Sequence, residues 1–286
     1  MSIAFDDVIH HFSPALTLMQ LRSTVPLIHN ITNYVAMEVM ANVLLATGAS
    51  PAMLHAQDEV AEFAAIASAL TINIGTLSPA WVNSMMIAAP AAVAAQRPWV
   101  FDPVGAGATA YRRQIAGQLA ALKPSVIRGN ASEILALDQR VSHSLASELG
   151  RGVDALDSVV AAEIAAQRLA SQLSCVVAVT GAVDFITDGQ YAARIANGHS
   201  LMTRVTALGC ALTGVVAAFI AGGGNILMNT AAALAYYGLA GEYAAAQAKG
   251  PGSFAVAFID ALAAIEPATL AAEARVEWTQ LAKLPN

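Results

Sequence analysis

Between residues 25 and 180, short apolar runs rich in β-branched residues alternate with longer, alanine-rich stretches. The short runs predict strands at 25–30, 50–54, 70–74, 99–102, 125–128 and 175–180, and the longer ones predict helices beginning near Tyr34, Asp58, Pro79, Tyr111, Ser132 and Ser158. Pro79 suits a helix start, where the amide it lacks would have no partner. Strand and helix in strict alternation imply a largely parallel sheet covered by helices on both faces, an α/β fold. After Thr180 the rhythm changes. Residues 184–195 read as two strands around Asp188 and Gly189, a two-residue hairpin signal, and three helices follow, starting near Gly209, Asn225 and Ser253. The expected order is βα units, an antiparallel hairpin near the sheet edge, and a helical C-terminal third, all in one domain spanning 1–286.

Composition sharpens this picture. Of 286 residues, 57% are hydrophobic and 12% charged, against about 25% charged in an ordinary soluble domain. So little charge predicts that part of the surface is buried in an oligomer. Twenty acidic against fourteen basic residues, with no basic run, exclude an electrostatic footprint for nucleic acid. Two cysteines, Cys175 and Cys210, make no disulfide framework or zinc spacing and point to a cytoplasmic protein. The six histidines form no ligand pattern, and His29 reads as a core residue. The N-terminus carries Asp6, Asp7, His10 and His11 where a signal peptide needs a basic segment followed by an apolar one. From 211 to 241 the chain has no charge, long enough to cross a bilayer. Gly222, Gly223, Gly224 and Asn225 divide it, so two buried helices are expected and no membrane partner.

Ligands of such sheets bind beyond the carboxyl ends of the strands, and the scarce polar residues gather there, Asn30, Asn73, Asp102, Arg128, Asn130 and Thr180, with the apolar Met53 at a further strand end. Three segments carry candidate chemistry. In DPVGAGA (102–108) an acidic residue leaves a strand into a glycine-rich turn. Asp102 is either a magnesium ligand, since Mg²⁺ takes one or two carboxylates with phosphate oxygens, or an ordinary turn residue. In RGNASE (128–133) Asn130 and Glu133 have the spacing of a helix cap with a reciprocal capping box; the functional reading makes Arg128 a phosphate donor and pairs Glu133 with Asp102 around a hydrated metal. In VTALGCALT (205–213) a turn opens straight into an apolar helix, whose free amides and dipole favour an anion. Cys210 at that helix start is expected to be shifted toward thiolate, whereas Cys175 reads as an inert buried thiol.

The strings HNITNYV, GASPAM, NIGTLS, DPVGAGAT, IRGNASEI, AVTGAVD and KGPGSF, in this order between about Val25 and Ile265, resemble the hydroxyethylthiazole kinase family of thiamine salvage, within the ribokinase-like group. The resemblance implies a ribokinase-like fold and transfer of the γ-phosphoryl group of ATP to the primary alcohol of 4-methyl-5-(2-hydroxyethyl)thiazole. It also implies Mg²⁺ as cofactor and a homotrimer with active sites between subunits. Carried over motif by motif, Asn30, Met53 and Ala207 would contact the thiazole, and Arg128, Thr180, Asn130, Leu208 and Gly209 the nucleotide and phosphates. Asp102 and Glu133 would organise magnesium. Cys210 would stand where related sugar kinases keep an aspartate base.

The family usually has glycine where this chain has Ala207, followed here by Leu208. If that position uses φ > 0, alanine strains the turn. Two other readings stand beside the thiazole-alcohol kinase: a ribokinase-like kinase of another small heteroaromatic alcohol, because pocket walls drift while phosphate machinery persists, and, from Ala207 and Leu208, a catalytically weak homologue that binds thiazole or nucleotide.

Overall fold

The computed structural model describes residues 11–141 and 155–284. In chain order the described helices are α1 (Pro14–Thr24), α2 (Met37–Thr47), α3 (Val60–Ile66), α4 (Pro79–Ala94), α5 (Ala110–Ala120), α6 (Ala131–Val141), α7 (Ala155–Leu173), α8 (Leu208–Ile220), α9 (Ile226–Gln247), α10 (Pro251–Ala264) and α11 (Pro267–Glu273). The strands are β1 (Leu27–Ile31), β2 (Ser50–Met53), β3 (Ala69–Asn73), β4 (Trp99–Asp102), β5 (Val126–Asn130), β6 (Val176–Thr180), β7 (Asp184–Thr187), β8 (Tyr191–Ile195) and β9 (Val276–Gln280). They form a nine-stranded sheet in the order β2-β1-β3-β4-β5-β6-β7-β8-β9. Strands β2 to β6 run parallel, and β7, β8 and β9 are added antiparallel.

The sheet carries a core on each face, as parallel strands linked by helical crossovers require. One core joins α1, α2, α8, α9, α10 and α11 through residues such as Leu18, Met40, Val215, Tyr236 and Phe258; the other joins α3 to α7 through Val60, Met85, Leu119, Ile134 and Leu169. Helix α8 is apolar all round and is buried from Ala211 to Ile220, the expected place for such a helix. Gly214 lets it lie close against α2, because a Cβ there would come within 3.1 Å of Met40 and 3.2 Å of Leu44.

Three expectations are corrected. The chain does not end in helices alone: β9, with Val276 and Trp278 alternating against Glu277 and Thr279, lies outside the hairpin and forms the sheet edge. The hairpin turn holds three residues, Asp188, Gly189 and Gln190, rather than two. Gly189 has φ +94°, and Asp188 Oδ1 accepts from the amides of Gln190 and Tyr191, so the aspartate closes a turn that glycine alone does not. Helices α1 and α11 also lay outside the alternation that the sequence displayed. The charge-free run is two helices, α8 and α9, broken at Gly222–Gly224, and among the described residues no single helix is long and apolar enough to cross a membrane. Residues 138–157, the most polar stretch of the chain and by sequence a surface excursion rather than a domain boundary, fall largely outside the described residues.

Candidate active site

The parallel strands deliver their terminal polar residues to one edge of the sheet, where the N-terminus of α8 meets them. Asp102, the last residue of β4, is fully buried. Its Oδ2 accepts from Asn73 Nδ2 at 2.8 Å and Thr213 Oγ1 at 2.9 Å, with Arg128 NH1 at 3.5 Å. Its Oδ1 is buried with no partner. Burial raises the Asp102 carboxyl to about 6, Glu133 adds to that, and Arg128, Thr213 and Asn73 oppose it.

Asn73 continues the chain of contacts. Its Oδ1 accepts from Asn33 Nδ2 at 2.9 Å and from the Gly75 amide at 2.8 Å. Asn33 Nδ2 also donates to Cys210 Sγ at 3.3 Å, while Asn33 Oδ1 accepts from the amides of Val35 and Ala36, which holds the turn leading into α2. Gly75 permits this approach: a Cβ there would sit 2.8 Å from Asn33 Cβ. Arg112 of α5 reaches back to the Ile74, Gly75 and Val104 carbonyls, tying together the loops after β3 and β4.

The RGNASE segment forms the expected cap. Asn130 Oδ1 accepts from the Glu133 amide at 3.0 Å, and Glu133 Oε2 accepts from the Asn130 amide at 2.9 Å. Glu133 does more than cap, because its Oε1 takes the Gly105 amide at 2.9 Å and so joins the glycine-rich turn after β4 to the start of α6. Arg128 is buried; NH1 donates to the Gly209 carbonyl at 2.8 Å and NH2 to Thr180 Oγ1 at 3.0 Å, while Thr180 passes its own hydrogen to the Gly129 carbonyl.

Helix α8 opens at Ala207, whose φ of +64° is left-handed and whose side chain provides no cap. The Ala207 carbonyl closes the first turn on the Ala211 amide at 2.8 Å. The amides of Leu208, Gly209 and Cys210 thus point out of the helix without an intrahelical acceptor, as at any helix start. The Leu208 side chain is buried in the core, and Gly209 is exposed. Cys210 departs from expectation: burial raises its thiol, Asp102 raises it further, and the amides of Asn33 and Asn73 and the charge of Arg128 only partly oppose this. Burial and the nearby carboxylate thus push the Cys210 thiol up, the opposite of the thiolate shift expected from its place at a helix start.

Asn30 is buried and internally paired: Oδ1 accepts from Thr71 Oγ1 at 2.8 Å, and Nδ2 donates to the Ile28 and Ala52 carbonyls. It stitches β1 to β2 and β3 directly beside its register partner Met53, which is half-buried at the end of β2. Asn33, Thr213 and Arg112 were not singled out by sequence reasoning, and Tyr237 of α9, whose hydroxyl donates to the Leu208 carbonyl at 2.7 Å, reads from the sequence, with Tyr236, as mid-helix packing. Their roles arise from partners far along the chain, although Asn33 lies inside HNITNYV.

The arrangement combines an anion-accepting helix start, an unsatisfied buried carboxylate oxygen and a thiol. The fit to magnesium rests on Asp102 Oδ1, a buried acceptor without a donor. Glu133 has both oxygens held by amides and would join through water. No group of three or more His, Cys, Asp or Glu that could hold a metal ion occurs among the described residues.

The model of the hydroxyethylthiazole kinase family matches residues 18–268. A hydroxyethylthiazole kinase of Cereibacter sphaeroides is 61% identical over 257 residues, covering 90% of this chain and 95% of that protein. One from Rhizobium etli is 57% identical over 260 residues, covering 91% and 98%. The hydroxyethylthiazole kinase structure from Pyrococcus horikoshii superposes with a TM-score of 0.85 at 37% identity, over 93% of this chain and 99% of that one. At 14% identity and a TM-score of 0.59, the pyridoxal kinase of Staphylococcus aureus shares the fold. Matched by the family model over residues 18–268 and 61% identical to a relative over 90% of its length, this chain belongs to the hydroxyethylthiazole kinase family.

Proposed function

We propose that the chain transfers the γ-phosphoryl group of ATP to the primary hydroxyl of 4-methyl-5-(2-hydroxyethyl)thiazole, in thiamine salvage. The observation that carries this reading is the uncapped start of α8, which bears Cys210 in its first turn and whose Thr213 donates to Asp102. Phosphoryl transfer passes through a loose transition state in which the protein aligns donor and acceptor and stabilises spread charge. The amides of Leu208, Gly209 and Cys210 face the transferring oxygens, where fixed donors act most strongly. Arg128 contributes its positive charge from behind that turn and orients it through the Gly209 carbonyl. Thr180 and Asn130 lie toward the nucleotide side, at adjoining strand ends. Asp102 and Glu133 would hold Mg²⁺, directly and through water respectively; when bound, the ion neutralises charge on the phosphate oxygens.

Cys210 receives the acceptor alcohol beside it. As a neutral thiol it acts as a hydrogen-bond partner that orients the hydroxyl, and the alcohol keeps its proton until late in a loose transfer. Met53 supplies a polarizable wall suited to a small sulfur heterocycle, with Asn30 holding the strand end on which Met53 sits. The low charge of the surface supports a homotrimer with sites between subunits, and the cysteine chemistry supports a cytoplasmic setting. Incubation with ATP, Mg²⁺ and a panel of alcohols that includes hydroxyethylthiazole and hydroxymethylpyrimidine, read by mass spectrometry, tests the assignment. Preferential phosphorylation of the thiazole alcohol is expected. Preference for another member of the panel would replace the substrate, and no transfer to any of them would leave a binding protein.

A further inference from the structure

Two buried side chains grip the first turn of α8 from outside the helix. Tyr237, 2% exposed and wedged edge-on against Phe258 at 4.8 Å, donates its hydroxyl to the Leu208 carbonyl at 2.7 Å. Arg128 donates to the Gly209 carbonyl at 2.8 Å. Each carbonyl belongs to a planar trans peptide whose opposite end is the next residue's amide. Gripping Leu208 C=O therefore fixes the direction of Gly209 N–H, and gripping Gly209 C=O fixes that of Cys210 N–H. A donor on the carbonyl also polarises the peptide and strengthens its N–H as a donor, by roughly 10–30% per bond.

Ordinary helix bonding does not need either contact, because first-turn carbonyls already accept from the amide four residues on. Nor does packing need the phenolic oxygen, since the ring alone fills the space against Phe258. We infer that Tyr237 is a positioning residue for phosphoryl transfer: through the Leu208 carbonyl it aims the Gly209 amide at the transferring phosphate. This deepens the reading of the α8 start as the phosphate cradle and rests on it.

The experiment compares Tyr237→Phe with Tyr236→Phe. Tyr236 is equally buried on the same helix, but its hydroxyl donates to the Leu262 carbonyl in α10, on the side away from the cradle. Removing a whole anion-hole donor costs about 10²- to 10³-fold in kcat, and loosening one without removing it should cost a fraction of that on the logarithmic scale. Tyr237→Phe is expected to lower kcat by about 3- to 10-fold with the KM for thiazole alcohol within twofold. Tyr236→Phe should match its loss of Tm while keeping kcat within twofold. Thermal stabilisation by ADP, Mg²⁺ and aluminium fluoride, beyond that by ADP and Mg²⁺ alone, should be present in the unaltered enzyme and reduced only in Tyr237→Phe. If the unaltered enzyme shows no such increment, the cradle reading falls and the inference with it. If it does, and Tyr237→Phe keeps the full increment and full kcat, or Tyr236→Phe loses as much kcat, the cradle stands and Tyr237 is merely packed beside it.

Discussion

Ala207→Gly is the substitution that relieves the single backbone conflict in the site. Ala207 holds φ +64° and ψ −3° at the mouth of α8, a region in which a Cβ crowds the neighbouring carbonyl and costs about 1–2 kcal/mol. Glycine removes that cost but returns about 0.5–1 kcal/mol through the greater freedom of its unfolded chain. The net gain is about 0–1.5 kcal/mol, or roughly 0–3 °C in Tm for a chain of this size. The rate is a separate matter. The first turn is already closed, with the Ala207 carbonyl 2.8 Å from the Ala211 amide, so the strain is present in free enzyme and transition state alike and largely cancels from the barrier. Turnover should rise by no more than about threefold, since a larger gain would require the strain to be relieved only on reaching the transition state. Differential scanning calorimetry and steady-state rates on the two proteins, with Ala207→Val as the opposite perturbation, check both numbers. Valine, branched at Cβ, should lower Tm further than glycine raises it. A Tm that falls in Ala207→Gly would refute the strain argument, and a tenfold rate increase would refute the cancellation.

Glu133→Gln and Asp102→Asn should each lower turnover by at least about 10²-fold at saturating Mg²⁺, the former because glutamine cannot accept from both Gly105 and Asn130 amides; near-normal steady-state rates would remove that residue from the phosphate site. Cys210→Ala should be milder than either, losing about tenfold or less, because a neutral thiol orients the alcohol without taking its proton. Alkylation of Cys210 by iodoacetamide should follow a pH profile displaced upward from that of a free cysteine, since a raised thiol pKa leaves less thiolate at any given pH; a profile displaced downward, followed by peptide mass mapping that separates Cys210 from Cys175, would restore the thiolate. Gly75→Ala should lower kcat by several-fold, its Cβ displacing Asn33 from Cys210; unchanged kinetics would show that Asn33 can yield without consequence.

The parallel half of the fold was legible because each strand is a local apolar run, and β4 ends where its run ends, at Asp102. Strand β9 was overlooked: five residues of alternating character after two helices carry a weak signal, and the strand exists because β8 leaves an edge to be paired. The same distinction holds in the site. Asp102, Glu133 and Arg128 announce themselves as charges at strand ends, and Asn130 with Glu133 as a spacing. Asn33 acquires its place from Cys210, 177 positions away, and Tyr237 from a carbonyl 29 positions back; neither partner alters the local pattern. The upward shift of the Cys210 thiol has a related cause. The dipole of α8 is visible from the sequence, but the burial of Cys210 and its nearness to Asp102 belong to the assembled sheet.

The central position of α8 has a bearing on how the chain is made. Strands β1 to β5 are complete once residue 130 has been synthesised, and α3 to α6, which follow them closely, cover one face of the young sheet. The other face waits for α8, α9 and α10, all beyond residue 207, with only α1 and α2 available earlier. Throughout that interval Val100 and Val126 have no covering helix, and the Asp102 carboxylate lacks Thr213. A chain that folds as it is made would carry a half-clad sheet until α8 emerges, and the apolar surface around Val100 and Val126 is the kind that makes a partly folded chain prone to aggregate.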